Sequence, residues 1–389
     1  MRILMIAPEP FFQPRGTPIS VFFRLQALAK LKLEVDLLTY HLGDNVHIQG
    51  VRIFRIPRLP LIRRVKVGPS YIKPFLDLLL WFKAFAMLST GRYDVVHAHE
   101  EAAYFSAPLA AMFGVKLLYD MHSSLPQQLA NYEFANYSPV VWLLSQMERF
   151  VLRRAHAVIT ICPDLERHVE RLEGRGKRFL IENYAVGQSP ESKDFKVARL
   201  RERLSLNGKL VVVYTGTFEQ NQGLELLVRG AAEVSAEFPR AVYLLVGGRP
   251  DQVERLRTLA VQQGVDRHFL FPGPQPLEEV ALFLEVADVL VSPRSQGTNT
   301  PLKIYSYLAS GKPIVATDMA THRQILDDQT ALLVAPTAGG LANGIRALFR
   351  DQHLRDKLGR GGRRLVKERY SYGSYLAKTQ EVFDYLRTL

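Results

Sequence analysis

The segment 292–313 (SPRSQGTNTPLKIYSYLASGKP) carries the residues best suited to holding an anion. A strand is predicted to end at its first residue. A helix is predicted to begin at Pro301 with Thr300 as its N-cap, because these residue types suit those positions. The free amides of a first helical turn bind anions, and Lys303 in that turn and Arg294 before it would add positive charge. The alternative is an ordinary capped helix whose Lys303 points into water.

Two further loops follow predicted strands and could also meet a ligand. The loop 8–20 (PEPFFQPRGTPIS) is long and rich in proline, and Gly16, followed by Thr17, allows the backbone to approach a ligand closely. The loop 214–227 (YTGTFEQNQGLELL) gives a weaker signal, and both loops are compatible with plain surface turns. The polar side chains of the second loop include Glu219 and Gln222.

Histidines gather near two strand ends of the first half. His97 and His99 alternate along one strand like metal ligands, but no third ligand stands at a recognisable spacing, so we predict no metal site. A buried strand position suits His97, and a pocket lining suits His99 and the adjacent Glu100. His122 ends the strand in LLYDMHSS (117–124). From the residues alone, it is either a site residue or a histidine bonded to nearby backbone.

Short apolar, β-branched runs alternate with longer amphipathic stretches, a pattern typical of βα units around parallel sheets. The chain is therefore predicted to be α/β, with two Rossmann-like, doubly wound parallel-sheet domains facing a cleft. Ligands of such sheets bind at the carboxyl ends of the strands. The predicted strands are 2–7, 34–40, 51–56, 94–98, 115–120, 156–161, 210–215, 241–246, 268–271, 288–292, 313–316 and 331–334. The predicted helices include 18–30, 101–113, 223–236, 251–263 and 340–350.

The domain boundary is predicted within 184–209, which has proline, glycine, serine and charges but no strand pattern. We expect an N-terminal domain over 1–190 and a C-terminal domain over 191–371. The amphipathic tail 372–389 is expected to pack back on the first of these domains.

Charge and composition exclude several classes of protein. The 389 residues include 50 Lys and Arg against 38 Asp and Glu, a net charge of +12, but much of the excess lies between Asp44 and Asp77. A general nucleic-acid-binding surface is therefore not expected. A single cysteine excludes an internal disulfide framework, and the first residues lack the apolar stretch of a signal peptide. A cytoplasmic location is the expectation.

The cationic and apolar segment 52–89 joins a basic loop to a helix rich in Leu, Phe and Trp. Charged residues and a proline leave its apolar run shorter than the ~18–20 residues that span a bilayer. It suits either an interfacial helix beside anionic lipid, on the inner face of the membrane, or a core helix preceded by a solvated loop.

These residues together carry a resemblance that covers nearly the whole chain. ADVLVSPRSQGTNTPLKIYSYLASGKPIVAT (287–317), the glycine loop with Gly216, DVVHAH (94–99) and the histidine of LLYDMHSS resemble the family 4 glycosyltransferases. The resemblance implies the GT-B fold, with a nucleotide sugar on the C-terminal domain and an acceptor on the N-terminal domain. It implies that His122 faces the donor sugar, with His99 and Glu100 on the acceptor side.

The chain departs from the family pattern at four positions. Two glutamates that usually contact the donor align with Thr298 and Ser306, and the Arg and Lys that clamp the diphosphate align with Thr217 and Gln222. Arg294 and Lys303 could restore the two positive charges. Backbone amides would then hold the phosphate oxygens. These amides lie in the loop formed by Gly297, Thr298, Asn299 and Thr300.

The expected function is transfer of a sugar from a nucleoside diphosphate sugar to an acceptor hydroxyl. The resemblance implies retention of anomeric configuration, no metal and no cofactor, and the acceptor is expected to be lipid-linked or a cell-envelope glycan. The alternative is a non-catalytic GT-B protein that binds or scaffolds. A nicotinamide-dependent oxidoreductase is disfavoured, because neither domain's first strand is followed by G-x-G-x-x-G.

Overall fold

The computed structural model describes residues 1–13, 16–65, 70–130, 138–172, 174–185 and 193–389. They form two compact units, each built around one parallel sheet. The boundary between the two units lies between Asn183 and Tyr184, a few residues before residue 190, where the sequence predicts the first domain to end. Unit 1 consists of Met1–Asn183 and Gly373–Leu389, and unit 2 of Tyr184–Tyr372.

Unit 1 has a seven-stranded sheet in the order β3-β2-β1-β4-β5-β6-β7. Its central strands are mostly apolar and are buried along nearly their whole length, as strands covered by helices on both faces must be. The edge strand β7 lies outside the predicted strands, because KRFL has only two apolar residues and only one fully buried residue. The strands are β1 (Arg2–Ala7), β2 (Glu34–Thr39), β3 (Val51–Arg55), β4 (Val95–His99), β5 (Lys116–Met121), β6 (Ala157–Thr160) and β7 (Lys177–Leu180).

The helices of unit 1 cover that sheet. Residues of α2, α3, α5 and α6 share one apolar core cluster with the strands. Helix α15 supplies the C-terminal part of the unit, and the Lys116 ammonium of β5 donates to the Leu386 carbonyl oxygen on it at 2.7 Å. The helices are α1 (Gly16–Lys30), α2 (Lys73–Thr90), α3 (Ala102–Phe113), α4 (Leu125–Ala130), α5 (Ser138–Arg154), α6 (Pro163–Arg171) and α15 (Tyr372–Thr388).

Unit 2 has a six-stranded sheet in the order β10-β9-β8-β11-β12-β13. Alternate residues of β8 enter two different core clusters, as expected when helices cover both faces. The strands are β8 (Leu210–Gly216), β9 (Ala241–Gly247), β10 (Phe269–Gly273), β11 (Val289–Ser292), β12 (Ile314–Thr317) and β13 (Leu332–Val334). The helices are α7 (Lys193–Arg203), α8 (Leu224–Glu237), α9 (Pro250–Gln262), α10 (Leu277–Glu285), α11 (Lys303–Ser310), α12 (Ala320–Arg323), α13 (Ala338–Arg350) and α14 (Gln352–Arg369).

Each sheet reverses its strand order once, between β1 and β4 in unit 1 and between β8 and β11 in unit 2. Loops that leave the carboxyl ends of such neighbouring strands diverge and leave a crevice, where ligands of open α/β sheets bind. The loops after β8 and β11 contain the predicted anion site. The residues after β4 and β5 contain the histidines.

A search of the described helices for membrane spans finds none that combines the length and apolar character needed to cross a bilayer.

Candidate functional site

In unit 2, the loops that follow β8 and β11 lie directly against each other. The Ser295 amide donates to the Asn221 carbonyl oxygen at 3.0 Å. Gly223 has a φ of +68°, and a Cβ on it would overlap the carbonyl oxygen of Pro293. Glycine is therefore needed here both for its backbone conformation and for the close approach of the two loops.

The Lys303 ammonium lies against the loop that follows β8. The ammonium donates to Gln222 Oε1 at 2.9 Å and lies 3.7 Å from the ring centroid of Tyr214. It also borders Gly216, where an added Cβ would lie 3.3 Å from the Nζ atom. The Lys303 side chain therefore turns toward the strand end and not into bulk water.

Arg294 lies in the adjacent loop, with its guanidinium folded back over the backbone. Its Nε donates to the Gln296 carbonyl oxygen at 2.7 Å. The guanidinium packs against Gly297, whose φ is +120°, and a Cβ at this position would overlap the guanidinium. The Arg294 carbonyl oxygen accepts from Thr317 Oγ1 at 2.6 Å, so β12 anchors the start of this loop.

These two cations are half-buried and lack the counter-charge that a desolvated cation usually has. Burial holds the pKa of Lys303 well below its ordinary value, and the Arg294 guanidinium lowers it further. Burial also lowers the pKa of Arg294. Within the described parts of the chain, neither side chain forms an ion pair with a carboxylate. A bound anion would favour the charged form of both groups.

The predicted start of the following helix is wrong. Helix α11 begins at Lys303 with Leu302 as N-cap, and no side chain caps it. The residues before it form a turn, in which the Ile304 amide donates to the Pro301 carbonyl oxygen at 3.0 Å. Thr300 therefore lies two residues before the N-cap position and does not cap the helix.

The other predicted donor residues of this region lie around the same loop. Gln324 donates to the Thr298 carbonyl oxygen at 2.8 Å, and Thr298 Oγ1 lies 3.4 Å from the side-chain oxygen of Asn299. Ser306 is half-buried on α11, three residues after Lys303. The small hydroxyl side chains of Thr298 and Ser306 thus stand at the two positions where the resemblance implies glutamates.

Glu219 is placed at the edge of this region. Its Oε1 accepts from Arg249 at 2.8 Å, and the same guanidinium contacts Asp251. Glu219 is therefore already neutralised by a neighbour from the loop before α9.

His322 belongs to the framework of unit 2. Its Nδ1 donates to the Thr317 carbonyl oxygen at 2.7 Å, so its Nε2 accepts from Ser292 Oγ at 2.9 Å. Burial lowers the pKa of His322 to about 4, and the nearby Arg294 and Lys303 contribute. The ring is neutral and joins the ends of β11 and β12.

Unit 1 contains a buried cluster centred on Asp120 of β5. Its Oδ2 accepts from Arg24 Nε at 3.1 Å and lies 3.1 Å from His97 Nε2. His122 Nε2 lies 3.3 Å from Asp120 Oδ1 and 3.1 Å from His99 Nδ1. Because β4 and β5 pair His99 opposite Asp120, the strand register brings these side chains together.

Arg24 and Asp120 give this cluster one cation and one anion. Burial alone would raise the pKa of Asp120, but Arg24, followed by His99 and His122, holds it well below its ordinary value. Burial lowers the pKa of His97 and lowers that of His99 strongly. The Arg24–Asp120 pair therefore carries the charge of the cluster.

His97, His99 and Asp120 also bring three potential metal-ligand atoms within 4.8 Å of one another. Asp120 thus supplies the third group that the sequence spacing did not indicate. However, the Arg24 guanidinium already contacts Asp120 Oδ2, the oxygen that faces His97. A divalent ion at that oxygen would sit beside a buried positive charge. The residues therefore do not fit a cation.

Glu100 follows β4 with a φ of +49° and accepts from Ser123 Oγ at 2.7 Å. Burial raises the pKa of Glu100 to about 7. Glu100 thus lies beside the loop that carries His122, whereas His99 is fully buried and contacts His122 directly.

Gly16 and Thr17 open α1, and Gly16 has a φ of +39°. A Cβ on Gly16 would meet no atom within 4 Å, so its positive φ is what favours glycine here. Residues 14 and 15 of the same loop lie outside the described residues.

Arg24 and Asp120 are functional candidates that sequence reasoning missed. Each interrupts an apolar run, VFFRLQALA in α1 and KLLYDM in β5. An ionisable residue inside a buried run is costly unless it is paired, so two such residues of opposite charge were a usable signal.

Two family models match the chain. The model described as "Glycosyl transferase 4-like domain" matches residues 25–183, and the one described as "Glycosyl transferases group 1" matches residues 209–351. Together they cover well over half of the chain and fall on the two units in turn.

Relatives and solved structures agree with these matches. A phosphatidyl-myo-inositol mannosyltransferase of Mycobacterium leprae is 28% identical over 402 residues, covering 100% of this chain and 98% of that protein. The sucrose-phosphate synthase of Thermosynechococcus elongatus has a TM-score of 0.82 at 22% identity, covering 100% and 99% of the two chains. HepE of Anabaena, solved with UDP and glucose, has a TM-score of 0.77 at 16% identity, with full coverage of both chains.

Two parallel-sheet α/β domains with these structural neighbours define the GT-B fold. The chain belongs to the family 4 glycosyltransferases and is an enzyme of the hexosyltransferase type. The family assignment favours this enzyme over the non-catalytic alternative.

Proposed function

We propose that the protein transfers a sugar from a nucleoside diphosphate sugar to an acceptor hydroxyl, with retention of anomeric configuration and without a metal or cofactor. Unit 2 binds the donor, and unit 1 binds the acceptor and contributes His122. In the absence of a metal, preorganised positive charge must stabilise the leaving diphosphate, and such charge is typically the largest catalytic term.

The observation that carries the donor proposal is the position of the Lys303 ammonium. Family relatives have a lysine where this chain has Gln222, and Lys303 Nζ lies 2.9 Å from the Gln222 side-chain oxygen. The Lys303 ammonium, on α11, thus reaches the region that the ammonium of the loop lysine would occupy. Arg294 would supply the second charge, and the loop amides near Gly297 would hold phosphate oxygens.

A thermal-shift screen against UDP-, GDP-, ADP- and TDP-sugars identifies the donor, because a ligand specific for the folded state raises the midpoint. With that nucleotide, Arg294→Ala and Lys303→Ala should each raise Kd at least tenfold, or about 1.4 kcal/mol. Arg201→Ala is the matched control. The Arg201 guanidinium also donates to backbone carbonyls, at 3.0 and 3.1 Å, but on another part of unit 2. Unchanged donor binding in both test variants would refute the proposal.

We also propose a lipid-linked or cell-envelope acceptor and a peripheral location on the inner, cytoplasmic face of the membrane. The relative from M. leprae is named for a phosphatidyl-inositol acceptor, which supports a lipid-linked one. On α2, buried side chains pack inward and a second stripe faces outward. The exposed apolar residues of that stripe are Phe75, Leu78, Phe82 and Phe85.

Helix α5 presents a second exposed stripe. Its side chains in the core belong to the same cluster as those of α2, so both helices cover one face of the sheet. No carboxylate is exposed on either helix within the described residues, since Asp77 is half-buried and Glu148 is buried. The exposed apolar residues are Val140, Trp142, Leu143, Met147 and Phe150, and the exposed arginines are Arg149, Arg153 and Arg154.

Several cationic side chains of the segment 52–89 already have partners within the protein and are not available to bind anionic lipid. Arg52 pairs with Asp36, Arg55 donates to backbone carbonyls and Lys73 pairs with Glu101. Lys66 lies outside the described residues. The exposed arginines of this segment that remain for anionic lipid are Arg58, Arg63 and Arg64.

Vesicle flotation tests the membrane proposal. The protein should float with phosphatidylglycerol vesicles at low salt, and Phe82→Asp and Leu143→Asp should each reduce the floating fraction. Val261→Asp is the control, because Val261 is equally exposed but lies in unit 2. If the wild-type protein does not bind these vesicles at low salt, the membrane proposal is refuted.

A further inference from the structure

The Arg294 guanidinium rests on the backbone of its own loop, the one that follows β11. Its Nε donates to the Gln296 carbonyl oxygen at 2.7 Å, and the guanidinium packs against Gly297. A displacement of this backbone therefore moves the guanidinium with it. On one side, the Ser295 amide holds the loop to the loop after β8, at 3.0 Å from the Asn221 carbonyl oxygen.

On the other side, the end of β12 holds the start of the same loop. Thr317 Oγ1 donates to the Arg294 carbonyl oxygen at 2.6 Å. His322 contacts both strand ends, since its Nδ1 lies 2.7 Å from the Thr317 carbonyl oxygen and its Nε2 lies 2.9 Å from Ser292 Oγ. Ser292, Thr317 and His322 are all buried. One ring thus joins the last residue of β11 to the residue that anchors Arg294.

We propose that His322 is the positioning residue for the Arg294 side of the donor site. The ring fixes Ser292 and Thr317 relative to each other, and the Thr317 hydroxyl then keeps the Arg294 backbone in place. His322 acts on the diphosphate through Arg294 and does not touch the substrate. This inference rests on the proposed role of Arg294 in donor binding.

The hydrogen bonds of the ring fix its tautomer. A carbonyl oxygen can only accept, so the proton lies on Nδ1, facing the Thr317 carbonyl oxygen. Thr317 Oγ1 is 3.3 Å from the same nitrogen, but its own proton is directed at the Arg294 carbonyl oxygen. In a neutral imidazole Nε2 is then an acceptor, and it receives the Ser292 hydroxyl proton. Burial lowers the pKa of His322 to about 4, so the ring is neutral at neutral pH.

Other polar side chains reproduce only part of this arrangement. The side-chain amide of asparagine can present an N–H near the position of Nδ1, and glutamine can present a carbonyl oxygen near the position of Nε2. Each therefore keeps at most one of the two contacts. Histidine bonds the two strand ends at once.

A double-mutant cycle tests the inference by calorimetric titration with the nucleoside diphosphate selected by the donor screen, which is UDP, GDP, ADP or TDP. His322→Gln and Thr317→Val should each raise Kd at least fivefold in an otherwise wild-type protein. In the Arg294→Ala protein, neither substitution should raise Kd further, because the guanidinium that they displace is absent. A purely structural role of the ring would not depend on Arg294, and such a cycle measures this dependence.

His268→Gln is the matched control. His268 is also buried in unit 2, and its Nδ1 donates to the Ala241 carbonyl oxygen at 2.9 Å. Ala241 begins β9 and His268 precedes β10, so this contact lies at the amino ends of the strands, away from the loops of the donor site. We expect His268→Gln to lower the unfolding midpoint, as His322→Gln does, but to leave the nucleotide Kd unchanged.

An equal rise in Kd from His322→Gln with and without Arg294 would overturn the inference, as would an unchanged Kd in a folded Thr317→Val protein. Histidine ring NMR on the full-length, ¹⁵N-histidine-labelled protein gives a readout without nucleotide. The His322 signals, assigned by their loss in His322→Gln, should show a proton on Nδ1 alone. A proton on Nε2 would overturn the inference even if the variants fail to fold.

The same titrations separate this inference from the proposed function. If Arg294→Ala alone leaves Kd unchanged, the proposed donor role of Arg294 fails, and the positioning role fails with it. If Arg294→Ala raises Kd but His322→Gln and Thr317→Val do not, only the positioning role fails.

Discussion

The cluster around Asp120 in unit 1 and the pair of Arg294 and Lys303 in unit 2 differ in how their charges are balanced. In unit 1, the Asp120 carboxylate is paired with Arg24 and lies beside three histidines. In unit 2, Lys303 and Arg294 lie together with amide and carbonyl oxygens as their described partners. The anion of the first cluster has a cationic partner within the protein, whereas the two cations of the second have no described carboxylate partner. Under the proposed function, this difference separates a framework in unit 1 from the site in unit 2 that would receive a diphosphate.

Breaking the Asp120 pair should have the largest effect. Asp120→Asn leaves Arg24 buried without its counter-charge, and such losses cost about 3–5 kcal/mol of unfolding free energy. Because the folded-state pKa of Asp120 is depressed, its contribution is full above about pH 4 and is lost as pH falls further. Denaturant titration measures the loss. Replacing the exposed Arg52 with alanine should cost about 1 kcal/mol or less, and a similar cost for Asp120→Asn would contradict the comparison.

A smaller effect is expected at Gly297, which seats Arg294. Gly297→Ala should cost about 2 kcal/mol, because the backbone conformation is strained for alanine and the Cβ displaces the guanidinium. Nucleotide Kd should also rise several-fold. Gly264→Ala separates the two causes, since Gly264 has a φ of +67° but open space around it. Equal nucleotide affinity in both variants would show that Arg294 does not contact the ligand.

Glu100 gives a smaller, pH-dependent effect in unit 1. Its pKa of about 7 exceeds that of an unfolded glutamate, so the folded state binds the extra proton and stability falls as pH rises from about 4 to 7. Glu100→Gln keeps a hydrogen-bond acceptor for Ser123 and removes this dependence of stability on pH. We expect the variant to be about 1 kcal/mol more stable than wild type at pH 8 and equal to it at pH 4, as measured by denaturation at both pH values. Parallel pH profiles would contradict the prediction.

Sequence patterns were sufficient for the strands and helices that position both clusters. Short β-branched runs such as LVVVYT mark buried parallel strands, whereas the edge strand β7 has too few apolar residues to stand out. The start of α11 was misplaced because local capping preferences compete with the turn at Pro301.

Side-chain pairing across the fold was less predictable. Arg24 and Asp120 are 96 residues apart and meet only in the folded unit, so no local spacing reveals them. The sequence predicts Lys303 in the first turn of a helix, and Lys303 is the first residue of α11. Its contact with Gln222, across 81 residues, depends on the approach of two loops that only the folded backbone defines.

The central claim is that the Lys303 ammonium on α11 replaces the ammonium of the loop lysine that the family has at position 222. A rescue experiment tests this claim most directly. Calorimetric titration with the nucleoside diphosphate selected by the donor screen is compared for wild type, Lys303→Met and Lys303→Met/Gln222→Lys. The single variant should bind at least tenfold more weakly, and the second substitution should restore most of the affinity, because both side chains end at one place. A single variant with wild-type affinity, or a double variant with no recovery, would contradict the account.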